Sequence, residues 1–137
     1  MNILFDTNVI LDIAVKREPH YTASSKVFMK INNTDLFGFV TATTVTDIYY
    51  IAKRDNGHLN TIAFISDLIQ ILDVIGVNRE TILQSLNSPL SDFEDAVQSV
   101  SAKLNDMAYI ITRNTKDFNK SEIKAITPLD FLETINQ

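Results

Sequence analysis

The opening stretch MNILFDTNVILDI constrains this chain more than any other. Asn2 leads into Ile3-Leu4-Phe5, a short apolar run with no room for a helix before Asp6. It reads as a strand covered on both faces, the kind found at the centre of a parallel sheet. Asp6-Thr7-Asn8 breaks the run, and Val9-Ile10-Leu11 opens a helix that Thr7 or Asn8 can cap. Asp6 is thereby expected at the carboxyl end of a central strand, the edge at which open α/β sheets hold their ligands. Taken alone, an Asp in that place serves equally well as a helix cap.

The alternation that begins there runs along the whole chain. His20 to Ile31 has helical spacing, with Tyr21, Val27, Phe28 and Ile31 on or near one face. Leu36 to Thr41 is aromatic and β-branched and predicts a second strand. Thr43 or Thr44 then caps a helix that stops at Asp55-Asn56-Gly57. His58 to Leu72 predicts another helix, Val74 to Val77 a short strand, and Asn78 the cap of a helix reaching Leu86. Ser91-Asp92-Phe93-Glu94 fits the S-x-x-E capping box, which starts a helix running to about Leu104. Tyr109 to Thr112 predicts a strand, Arg113 to Ser121 a polar loop, and Ala125-Ile126 a last short strand. Pro128 takes the first position of a closing helix. The pattern predicts a three-layer α/β/α sandwich with a central, mostly parallel sheet, residues 1–137 forming one domain.

Charge and missing residue types bound what such a domain can do. The formal net charge of -5 argues against general nucleic-acid affinity, which needs a basic footprint. Lys16-Arg17, Lys53-Arg54 and Arg113 with Lys116 and Lys120 nevertheless lie close to acidic positions and can form a local basic rim. With no cysteine, a metal must be held by oxygen or by one of the 2 histidines. Met1 leads straight into a strand, leaving no room for a signal peptide. No uncharged apolar run approaches the ~20 residues that span a bilayer. A soluble cytoplasmic protein with no membrane contact is expected.

Several acids fall where a parallel sheet gathers its loops. Asp6 ends the first strand, and Asp47 lies one turn into the helix after the second. Asp95 is one turn into the capping-box helix, and Asn114 and Asp117 follow the strand ending at Thr112. Carboxylates gathered on one edge repel, by about 4 kcal/mol for a pair about 4 Å apart at an effective dielectric near 20. Such a cluster holds either protons or a divalent cation, and oxygen-only donors suit Mg²⁺ or Mn²⁺ rather than Zn²⁺. Plainer roles exist for each: Asp47 as a helix-dipole partner, Asp117 as a turn residue. Glu94 reads as the capping-box glutamate and Asp92 as a first-turn acid, neither as a ligand. His20 and His58 stand at helix starts and read as structural or solvated.

FDTNVILD, TATTVTDIYYIAK, DFEDAVQ and IITRNTKDF, in this order and closed by TPLDFL, resemble the PIN-domain nucleases over essentially the whole chain. The resemblance implies a Mg²⁺-dependent α/β/α endoribonuclease, with Mn²⁺ as a substitute, that hydrolyses phosphodiester bonds in single-stranded or structured RNA. Many members are VapC-like toxins of bacterial toxin–antitoxin pairs, so a small antitoxin partner is implied as well. Matched by motif, Asp6, Asp95 and Asp117 are the catalytic and metal-binding acids, and Asp47 takes the second acidic position, ligating the metal directly or through water. Asn8 and Asn114 give polar support beside the metal. Thr112 and Arg113, at the end of the late strand, can hold the scissile or adjacent phosphate, Arg as a bidentate donor. The departure is Asp47, where the family usually has Glu.

Two other classes fit parts of this pattern. A receiver-like phosphoacceptor module has a similar sheet and an acidic Mg²⁺ pocket, but needs a lysine where this chain has Thr112-Arg113-Asn114. A catalytically silent PIN-like binding protein would use its acids only as caps. The apolar, aromatic helices around Tyr49-Tyr50 and Phe64-Ile65 lead us to expect association, as a homodimer and with the small partner.

Overall fold

Ile3, Leu4 and Phe5 have no exposed surface, as expected of a strand covered on both faces. In this computed structural model, which describes residues 1–136, they lie in β1 (Asn2–Phe5) at the centre of a five-stranded sheet. The others are β2 (Phe37–Thr41), β3 (Asp73–Ile75), β4 (Tyr109–Ile111) and β5 (Ala125–Ile126). Their order is β3-β2-β1-β4-β5, and every pairing is parallel.

Alternation along the strands sends side chains to two cores. Ile3 and Phe5, with Val40 and Ile111, face a layer built from α1 (Thr7–Ala14), α2 (His20–Lys30), α3 (Ala42–Ile71) and α6 (Pro128–Ile135). Leu4 and Ile110 face the other way, onto Ala102 of α5 (Phe93–Leu104), which packs beside α4 (Arg79–Leu86). The result is the three-layer α/β/α sandwich that the strand–helix alternation dictates.

Two glycines are required by position. A Cβ at buried Gly38 in β2 would lie 2.5 Å from Leu72 Cδ2 and 2.8 Å from Ile31 Cδ1, so only glycine lets these side chains reach the sheet. Gly57, with φ 78° and ψ 170°, breaks α3 in two. The expected stop at Asp55-Asn56-Gly57 is thus a kink, and the chain resumes helix immediately.

The caps fall at other residues than the sequence suggests. Asp6 rather than Thr7 or Asn8 caps α1, and Thr41 rather than Thr43 or Thr44 caps α3. In both cases the strand runs into the helix with no connecting loop, so the residue at the strand's end is also the cap. Asp92, not Ser91, caps α5 through its Oδ1, which accepts from the Asp95 N–H at 3.0 Å. Asp95 therefore occupies the third helical position, the one Glu94 was expected to hold. The stretch after β4 contains a 3₁₀ turn, Thr115–Phe118, folded around buried Phe118.

A candidate metal-binding active site at the sheet switch point

Beside β1 the strand order reverses: β2 and β3 lie on one side, β4 and β5 on the other. The connections that leave β1 and β4 part there, at the edge where α/β sheets bind ligands. Asp6 stands there, only 8% exposed. Its Oδ1 accepts from the Thr7 N–H at 2.8 Å and its Oδ2 from the Thr112 hydroxyl at 2.8 Å. Burial pushes its carboxyl above the ordinary value, and the charge of Asp117 adds to the push. The two hydrogen bonds and the Arg113 guanidinium pull the other way without cancelling it.

Asp95 and Glu94 on α5 and Asp117 on the 3₁₀ turn all feel or add to the charge of Asp6. Asp95, half-buried at the start of α5, is pushed up to about 7, first by burial and then by the charges of Asp6, Asp92, Asp117 and Glu94. Asp47 is half-buried on α3 and pushed up by burial. Asp117 is exposed on the 3₁₀ turn, where its N–H donates to the Asn114 carbonyl at 3.0 Å. Glu94 joins them: its carboxyl is pushed up by Asp47 first, then by burial, Asp92 and Asp6. Reading Glu94 as a capping-box residue hid it. The signal was its place beside Asp95.

A buried polar network fixes the spacing of these elements. Gln98 Nε2 of α5 donates to Thr44 Oγ1 of α3 at 2.6 Å, and Thr44 also meets Thr7 Oγ1 at 3.0 Å and Thr41 Oγ1 at 3.1 Å. Thr44 lies one turn before Asp47, and Gln98 one turn after Asp95. Residues three apart share a helix face, so this contact sets how far apart the two carboxylates stand. Sequence reasoning assigned neither Thr44 nor Gln98 to the site.

Of the residues matched to substrate, Thr112 is fully buried, with its hydroxyl on Asp6 and the Asn114 N–H donating to that hydroxyl at 3.1 Å. Asn8 Oδ1 accepts from the Arg113 N–H at 3.5 Å, and Asn114 is exposed. Arg113 extends its guanidinium to Asp12 rather than into the site, Nε to Oδ2 being 2.7 Å. His20, expected apart from the cluster, has Nε2 3.4 Å from Arg113 Nη1. His58 accepts or donates in a 2.8 Å hydrogen bond between its Nδ1 and Tyr49 Oη.

Among the described residues, no three Asp, Glu or His side chains stand close enough to enclose a metal ion by themselves. The donor set nonetheless suits one. Each Asp6 oxygen makes a single hydrogen bond and keeps a lone pair free, and the acids raise one another's affinity for positive charge. An open set of hard oxygens fits Mg²⁺ or Mn²⁺, which complete their shells with water.

The family model of the PIN domain matches residues 2–116. The chain belongs to the PIN domain family. No curated protein sequence matches it. Solved PIN-like structures share its fold at low identity. VapBC2 from Rickettsia felis, bound to a DNA fragment from its promoter, matches with a TM-score of 0.71 at 10% identity, over 93% of this chain and 98% of that one. A toxin–antitoxin complex from Klebsiella pneumoniae matches with a TM-score of 0.69 at 22% identity, over 92% and 97%. VapC20 of Mycobacterium tuberculosis, a sarcin–ricin loop cleaving toxin, matches with a TM-score of 0.66 at 11% identity, over 79% and 86%. PIN membership also separates this chain from the receiver-like modules, which share only a general sheet architecture and an acidic pocket.

Proposed function

We propose that this PIN domain is a Mg²⁺- or Mn²⁺-dependent endoribonuclease and the toxin of a toxin–antitoxin pair. The observation that carries the reading is the gathering of Asp6, Asp95 and Asp117 at the switch point, where burial first and then the neighbouring acids push Asp95 up to about 7. Asp6, Asp95 and Asp117 would hold the cation, with Asp47 and Glu94 adding negative charge beside it. When bound, the ion lowers the pKa of a bound water and offsets charge on the leaving oxygen of a phosphodiester.

The chain's own residues do the rest. Thr7 and Thr112 hold the Asp6 carboxylate from both sides, so its orientation does not depend on substrate. The Thr44–Gln98 contact keeps α3 and α5 at a fixed separation around the acids. Below about pH 7 Asp95 holds a proton at its carboxyl in the metal-free site, and it gives that proton up when positive charge stands beside it. RNA cleavage by the VapC20 relative and the toxin–antitoxin assemblies of the other structures support RNA as substrate and a small antitoxin as partner. Exposed Tyr50, Leu59, Ile62 and Ile69 on α3 support apolar association, with the antitoxin and as a homodimer. Phe64 and Ile65, expected there as well, pack onto the core instead.

Incubation of the purified protein with single-stranded RNA tests this reading. Cleavage in Mg²⁺ or Mn²⁺ that stops in EDTA is the expected result. Cleavage persisting in EDTA, or none with either metal, overturns it.

A further inference from the structure

We propose that the buried Asp12–Arg113 ion pair is a latch that positions the segment after β4, and with it Thr112 and Asp117, on the acid site. The proposal rests on the metal-dependent reading above. Asp12 projects from α1 with 0% of its side chain exposed, and Arg113 is 27% exposed. Asp12 Oδ2 lies 2.7 Å from Arg113 Nε, while Arg17, 46% exposed, reaches Oδ1 only at 3.6 Å. The 2.7 Å contact is an ion pair rather than an aligned hydrogen bond, and among the described residues neither Asp12 oxygen has a hydrogen-bond donor. A carboxylate buried this completely depends on its counter-charge. Arg113 supplies it, so the guanidinium is committed to α1 and turned away from the site.

What Arg113 carries explains the commitment. The residue before it, Thr112, donates to Asp6, and the Asn114 N–H donates to Thr112 Oγ1. The Asp117 N–H in turn donates to the Asn114 carbonyl. One short stretch of chain thus sets the orientation of one metal-binding acid and the position of another. Arg113 ties that stretch to α1, assisted by Asn8 Oδ1 at its N–H. Buried ion pairs add little net stability over apolar residues of similar size, so stability alone does not call for one here. Both members are positioning residues, acting on the cation through Thr112 and Asp117.

The test separates position from stability. Wild type, Asp12→Leu/Arg113→Met and Arg113→Lys are compared by thermal unfolding and by Mn²⁺ binding, measured by calorimetry or by electron paramagnetic resonance of free Mn²⁺. The double variant should unfold near the wild-type temperature yet bind Mn²⁺ about 10-fold or more weakly, the loss typical when outer-shell support is removed. Arg113→Lys keeps the charge and loses the planar fork, so it should stay folded and also bind Mn²⁺ more weakly. If the double variant does not fold, Arg113→Lys decides. Wild-type Mn²⁺ affinity in whichever folded variant decides overturns the latch and leaves the metal reading standing. A wild-type protein that binds no Mn²⁺ overturns the metal reading, and the latch with it.

Discussion

Asp95 is the residue whose protonation the fold perturbs most visibly. Its carboxyl, ordinarily at 3.8, is raised to about 7 by burial and by Asp6, Asp92, Asp117 and Glu94. The native state therefore holds a proton that the unfolded chain has already released. Stability from that proton is fully present below 3.8 and is lost as pH rises through about 7. In EDTA the melting temperature should fall across that window, and Asp95→Asn should flatten the fall. A wild-type melting temperature that rises between those values counts against the cluster. Asp47 carries a second expectation. Its carboxylate reaches roughly 1.5 Å less far than the usual glutamate, one C–C bond, and Glu94 stands beside it. Asp47→Ala should therefore slow Mg²⁺-dependent cleavage less than Asp6→Ala, and Asp47→Glu should be tolerated, when the three rates are measured side by side. The places of Asp6, Asp47, Asp95 and Asp117 in the fold were legible in the sequence, because each sits a fixed step from a strand end or a helix start. Asp12, Thr44 and Gln98 were not, because their roles come from partners far away in the chain, such as the Thr44–Gln98 contact.

Elements were more legible than their ends. The order of strands and helices follows from apolar period and from breakers such as Gly57 and Pro128. Caps and strand bounds do not, because they depend on where pairing stops. The β2–β3 register, with Thr41 opposite Ile75, ends β2 at the residue that also caps α3. The strand expected at Val74 to Val77 accordingly forms at Asp73–Ile75. Gly57 lies in a region of backbone space that is essentially reserved for glycine, so Gly57→Ala should cost about 1–3 kcal/mol. Gly38→Ala should cost a similar ~1–3 kcal/mol by a different route, because its methyl enters space held by Leu72 and Ile31. Urea unfolding resolves both losses, and either variant matching wild type would show that its backbone or its packing relaxes freely.

No helix among the described residues is long and apolar enough to cross a membrane. Tyr50 is 69% and Leu59 81% exposed on α3, apolar surface that association would cover. Light scattering at micromolar concentration should report a dimer, and Leu59→Lys should shift it toward monomer; a monomeric wild type contradicts that expectation. The switch point itself is best tested by RNA cleavage across a Mg²⁺ titration, with wild type and Asp6→Asn compared at equal folded concentration. Asp6→Asn should remain folded, because a repelling carboxylate is gone, and should lose more than about 100-fold in rate, beyond what outer-shell changes produce. A folded Asp6→Asn protein that cleaves RNA at the wild-type rate would contradict a catalytic metal held at this site.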